Sequence, residues 1–134
     1  MDSTLVPGAK QRCIIGNTMV LKDGRPVASL GSPGNVHCTV PQVLTYLLDF
    51  KLDAYAAIDA PRMLPMTEAR AVVIEDRLDI GVVEDLHKLG VRVGVAPPYD
   101  YHMGSFAVIT RDEASGSYTA LADPRRSAVA DGLK

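Results

Sequence analysis

Apolar positions along the chain fall into short runs with two different periods. Thr18-Met19-Val20-Leu21 and Val27-Ala28-Ser29-Leu30 flank the polar stretch Lys22-Asp23-Gly24-Arg25. Asp-Gly between two such runs predicts a hairpin, because glycine takes the positive φ of a tight primed turn without steric cost. Gly31-Ser32-Pro33-Gly34-Asn35 then predicts irregular backbone. Beyond it, Val43, Leu44, Leu47 and Leu48 recur at helical spacing. That helix is expected to start at Thr39, with Pro41 in its first turn and Gln42 completing a capping box. Asp53 is placed to cap a second, short helix through Ala57 and Ile58, which Pro61 ends.

Ala71-Val72-Val73-Ile74-Glu75 is a β-branched run and predicts a strand. Asp79 opens a helix whose Ile80, Val83 and Leu86 share a face, with Gly90 as its stop. Val91 to Val95 reads as a strand that Pro97-Pro98 breaks. Phe106 to Thr110 and Tyr118 to Leu121 form a second hairpin across Asp112 to Ser117. The order β-β-α-α-β-α-β-β implies an α+β fold, a mainly antiparallel sheet with helices packed on one face. Thr18 to Leu21 and Phe106 to Thr110 do not alternate cleanly, which suits a sheet buried on both faces. The chain is thus expected to need a second layer.

Composition bounds the picture without sharpening it. The 134 residues, 47% of them apolar, suit one domain over 1–134, with 1–12 read as a loop or frayed start. A formal net charge of -2 gives no basis for a nucleic-acid partner. No apolar run is long enough to cross a bilayer, and Met1 to Lys10 has no signal-peptide core; neither observation fixes a compartment. Cys13 and Cys38 are too few for a disulfide scaffold or a structural zinc site and read as reduced, partly buried thiols. A bond between them requires two separate loops to bring their backbones close.

No metal or cofactor is expected. His37-Cys38 with Cys13 or His102 shows no converging ligand set, and Gly31 to Asn35 lacks both the Walker lysine and the dinucleotide glycine spacing. Asp123-Pro124-Arg125-Arg126 reads as a turn whose arginines lock the C-terminal tail rather than as an anion site. Tyr99-Asp100-Tyr101-His102 reads as an exposed loop, open to a functional or a packing role.

Several segments carry more than their local structure because of their order. They are Asn17 to Gly24, Gly31-Ser32-Pro33-Gly34, Gln42-Val43-Leu44 leading to Leu48-Asp49-Phe50, Ala57 to Arg62, Gly104 to Ile109, and Ala122 to Arg126. As an ordered set, from Pro7 onward, they resemble the C-terminal half of γ-glutamyltransferase small subunits. The resemblance implies part of the αββα sandwich of Ntn hydrolases. It also implies a γ-glutamyl transferase or hydrolase whose N-terminal Thr, exposed by self-cleavage, attacks a γ-glutamyl amide with its own amine as base. Thr4 is not in the matching context, so the nucleophile is expected upstream and this chain alone is expected to be inactive. The implied partners are the large subunit and the N-terminal half of the small subunit, or further copies of this chain where those are missing.

Two of the implied site features are altered. Paired serines that bind the substrate α-carboxylate are replaced by Cys13 and Ile14, of which Cys13 is a weak donor and Ile14 none. The paired glycine of the oxyanion hole reads Gly34-Asn35, whose backbone amides remain candidate donors. A non-catalytic scaffold or interaction module that keeps the fold is therefore the alternative, and the substrate is not specified.

Overall fold

The computed structural model describes residues 6–10 and 14–132, so Cys13 lies outside the described residues. The first hairpin pairs β1 (Ile15–Lys22) with β2 (Arg25–Pro33). Asp23 and Gly24 have φ of 51° and 75°, the two positive values that a primed two-residue turn demands. The second hairpin, β6 (Ala107–Arg111) and β7 (Tyr118–Ala122), completes a four-stranded antiparallel sheet in the order β1-β2-β6-β7. Two helices, α1 (Val36–Leu48) and α2 (Ala54–Asp59), belong with the hydrophobic core of this sheet. That core joins Leu30, Val108 and Phe106 to Val40, Val43 and Ile58, with Leu47 and Leu121 at its margin.

A second sheet departs from the expected single layer. It orders β3 (Met63–Met66), β4 (Ala71–Glu75) and β5 (Arg92–Ala96), and β4 runs parallel to β5 across α3 (Ile80–Lys88). The β3 strand was not anticipated. It has only four residues, one of them Pro65, which offers no ladder donor and fits an edge position.

Two boundaries differ in an instructive way. The backbone of Gly31 to Pro33 is not irregular: β2 continues through it, with Ser32 pointing inward at 2% exposure. α1 starts at Val36, not at Thr39. Thr39 sits within the first turns and its hydroxyl donates back to the Asn35 carbonyl at 3.2 Å. Pro41 is interior to the helix. Gln42 forms no capping box. Its side-chain amide donates to the carbonyls of Cys38 and Met63 at 2.9 and 2.7 Å and accepts from the Met63 amide at 3.0 Å. The helix thereby satisfies the β3 backbone. Asp53 and Asp79 cap their helices as expected, accepting from the amides of Ala56 and Gly81.

The four-stranded sheet is not buried on both faces within this chain. Burial alternates along β1, and the outward positions Ile15, Met19, Leu21, Ile109 and Tyr118 are 47–68% exposed. One face is packed by helices, and the other is apolar and open. That asymmetry is the form the missing layer takes.

Candidate functional site

A buried charge cluster ties the two sheets together. Arg62, Glu75, Asp123 and Arg125 are each at most 5% exposed. Arg125 grips Glu75 in a two-point pairing, Nε to Oε1 and Nη2 to Oε2, both at 2.6 Å. Arg62 Nη2 lies 2.6 Å from Asp123 Oδ2, and Arg125 Nη1 is 3.2 Å from Asp123 Oδ1. Both arginines also donate to the Ile58 carbonyl at 2.7 Å, so the C-terminal end of α2 sits over the cluster. Burial draws Arg62 below its ordinary arginine value against the opposing pull of Asp123. Burial acts on Arg125 in the same direction, but Glu75 and Asp123 together raise it. Buried charges of this kind are tolerated because they are paired, although Arg62 Nε meets no acceptor among the described residues. The arginines of the Asp123 to Arg126 motif do lock the tail, although the partner Glu75 was not foreseen. Its signal was a charged residue ending an otherwise apolar β-branched run.

The cluster also fixes the segment leading into β6. Arg62 Nη1 donates to the carbonyls of Met103 and Gly104 at 3.2 and 3.3 Å. Asp123 Oδ2 accepts the Phe106 amide at 3.0 Å. The next contact brings this segment against the end of β2, where the Ser105 amide donates to Ser32 Oγ at 3.1 Å. Gly104 has φ +79, and a Cβ there would stand 2.8 Å from Ser32 Oγ and 3.1 Å from Thr39 Oγ1. Gly104→Ala is therefore expected to cost about 2 kcal/mol or more, from left-handed backbone and crowding together. Chemical denaturation of the two proteins checks this.

Gly34 and Asn35 join this junction to the start of α1. Gly34 has φ +89, and its amide donates to the Ile14 carbonyl at 3.1 Å. The Asn35 carbonyl accepts the amides of Cys38 and Thr39, both at 3.0 Å. Its side-chain Nδ2 reaches the His102 carbonyl at 3.4 Å. The Asn35 amide meets no protein acceptor among the described residues. The two candidate oxyanion donors are thus not equivalent among the described residues: the Gly34 amide has an acceptor and the Asn35 amide has none. Ile14 is brought to the same place, but it contributes a carbonyl, and the residue is 56% exposed.

Beyond Asn35, the loop after β5 was singled out by sequence and is well fastened. Tyr99 donates through its hydroxyl to Asp59 at 3.0 Å, and the Arg77 guanidinium lies 3.8 Å from its ring centre. Asp100 Oδ1 accepts the His102 amide at 2.7 Å and stands 2.8 Å from His102 Nδ1. Those hydrogen bonds, the backbone one foremost, hold the Asp100 carboxyl below its usual range. Among the described residues, no three His, Cys, Asp or Glu side chains converge in a way that could hold a metal ion. No helix among them is long and apolar enough to cross a membrane.

A four-stranded antiparallel sheet with helices on one face and an open apolar face on the other has room for a second layer, as one side of an αββα sandwich does. A highly active mutant of γ-glutamyltranspeptidase from Pseudomonas nitroreducens shares the fold with a TM-score of 0.80 at 23% identity, covering 97% of this chain and 67% of that one. The family model described as Gamma-glutamyltranspeptidase matches residues 2–133, and the chain belongs to that family. Among curated relatives, a glutathione hydrolase proenzyme of Bacillus subtilis is 27% identical over 118 residues, 87% of this chain and 19% of the proenzyme. An acylase proenzyme of a Pseudomonas species, ACY 1, is 26% identical over 132 residues, 97% of this chain and 23% of the proenzyme. The chain therefore spans about a fifth of the curated relatives it matches.

Proposed function

We propose that this chain is the C-terminal portion of the small subunit of a γ-glutamyltransferase-like amidohydrolase, acting with a nucleophile that lies on an upstream segment. The observation that carries this is the family match along 2–133 on a sheet whose second face is left open and apolar. In this reading, the upstream Thr hydroxyl attacks the carbonyl of a γ-glutamyl amide, and its own amine takes the proton. The amine leaving group departs, an acyl-enzyme ester remains, and water or an amino acid then accepts the glutamyl group.

This chain's part is to hold donors at the developing oxyanion. The Asn35 amide, which meets no acceptor among the described residues, is the better donor, because Gly34 already bonds to Ile14. The large subunit and the N-terminal half of the small subunit are the partners that cover the exposed sheet face. In sequence, Cys13 and Ile14 take the places of the paired serines that the resemblance implies for a substrate carboxylate, so glutathione is not assumed as the substrate. Relatives of such different names as glutathione hydrolase and acylase agree with a variable acyl pocket.

One geometric feature favours the alternative of a scaffold that keeps the fold without the chemistry: the engaged Gly34 amide beside an apolar Ile14. Activity separates the two readings. The purified 134-residue chain is expected to release no aniline from a chromogenic γ-glutamyl anilide, whereas the natural assembly containing it does so. Turnover by the chain alone would overturn the proposed division of labour, and an inert natural assembly would support the scaffold.

A further inference from the structure

The second sheet ends on a strand with no neighbour. Its order is β3-β4-β5, so among the described residues one side of β5 pairs with nothing. Where β4 runs on, the Asp76 amide donates to the Ala96 carbonyl at 2.9 Å. Backbone groups alternate sides along a strand. Those of Arg92, Gly94 and Ala96 therefore turn to β4, and those of Val93 and Val95 turn outward. Natural sheets blunt such an edge with charge, proline or a covering element. Here Gly94 is exposed and Val95 is 61% exposed. Arg92, the one charged residue of β5, donates away to the Ala69 carbonyl. The adjoining α3 buries none of its residues, and Ile80 at its start is 70% exposed.

The outward groups suit one register. A second copy adds to this edge with two-fold symmetry only when the two strands run antiparallel. Val93 opposite itself would set Val95 against Val91, whose amide already donates to the Leu86 carbonyl at 3.0 Å. Val95 opposite itself would set Val93 against Pro97, which has no amide. With Gly94 opposite Gly94, each Val93 faces a Val95, and every outward amide and carbonyl of both residues finds a partner. The strand is complementary to itself.

Side chains agree with that register. Val93 and Val95 share a face with Val72 and Ile74, which are 7% and 2% exposed. Pairing continues this apolar row across the edge and covers Val95 with Val93 of the other copy. On the opposite face two glycines meet at a non-hydrogen-bonded position, where Cα atoms stand about 4.5 Å apart. At each end Arg92 falls opposite Ala96, the residue to which Asp76 is bonded. A cation of one copy is thereby set near an acid of the other at both ends.

We propose that the outer edge of β5 binds a second copy of this chain, antiparallel about Gly94, which joins two three-stranded sheets into one continuous sheet. This interface is distinct from the open apolar face of the four-stranded sheet. It holds whether or not the assembly is an amidohydrolase. A strand of five residues buries little area, so the pair is weak and concentration-dependent.

The test uses the complete natural polypeptide together with whatever co-purifies. A Cβ added at Gly94 meets, beyond its chain neighbours, only Val73 Cγ2 at 3.7 Å, an ordinary contact. Gly94→Cys is therefore tolerated and brings two thiols into disulfide range across the pair. Mild oxidation is expected to join the copies at position 94, as read by peptide mapping. The rate is expected to be at least about tenfold that of Arg92→Cys, whose thiols stand about 13 Å apart in this register. Val95→Pro removes an outward amide that β4 does not use, and edge strands accept proline there. It is expected to raise the dissociation constant of the pair about tenfold in sedimentation equilibrium. Equal cross-linking of the two cysteine variants overturns the proposal, and that is the outcome if another segment covers β5 or the copies meet by the open sheet face. A wild-type assembly that holds a single copy at every concentration overturns it as well.

Discussion

Replacing Arg125 with methionine is expected to lower the unfolding free energy by about 3–5 kcal/mol, read as a shift of the urea midpoint. Arg125 is the shared counter-ion of Glu75 and Asp123 and donates to the carbonyls of Ile58 and Ala60. Methionine fills much of the volume but leaves Glu75, which is fully buried, with the Arg77 guanidinium and the Arg62 backbone amide, both at 3.2 Å and both on Oε2. The cost is that of a buried carboxylate left with one weaker counter-ion and a bare Oε1, more than that of a lost contact. Arg125→Met combined with Glu75→Leu is expected to recover part of the loss, because the orphaned carboxylate goes with it. The exposed pair Lys22–Glu113, with side chains 59% and 53% exposed, provides the contrast: Lys22→Met is expected to leave the midpoint where it was. A wild-type midpoint for Arg125→Met would contradict the account of how the two sheets are joined.

The second large effect concerns the open sheet face. The 134-residue chain on its own is expected to self-associate through Met19, Ile109 and their neighbours, since an apolar face of this kind is seldom left to water. Met19 and Ile109 are 62% and 47% exposed. Burying an apolar side chain of this size is worth roughly 1.5–3 kcal/mol. Met19→Glu with Ile109→Glu is therefore expected to weaken association by about tenfold or more, as measured by sedimentation velocity over a concentration series. A wild-type chain that stays monomeric throughout the series would mean that this face needs no cover.

Much of this architecture was legible because local chemistry agreed with the final packing. Asp23-Gly24 specified a turn whose backbone angles only such a pair meets easily, and Asp53 and Asp79 capped where they were expected to. The failures share a physical cause: tertiary partners took over groups that local rules assign elsewhere. Thr39 and Gln42 read as a capping pair, yet Gln42 is claimed by Met63, 21 residues away. The β3 strand is held by β4 and by Gln42, not by its own short Pro-containing sequence. At the candidate site, sequence order brought Ile14, Gly34 and Asn35 forward, and the fold does gather them. What the order did not reveal is that the Ile14 carbonyl occupies the Gly34 amide, or that Asn35 is tied to His102. Both depend on long-range register.

The central claim is that this chain works as part of a larger γ-glutamyltranspeptidase-family assembly whose nucleophile lies upstream. Intact mass spectrometry of the natural polypeptide, isolated with whatever co-purifies, tests it most directly. A longer or processed chain that begins with Thr, Ser or Cys and carries residues 1–134 at its C-terminal end is the predicted result. A natural polypeptide that begins at Met1 and binds no partner would contradict it.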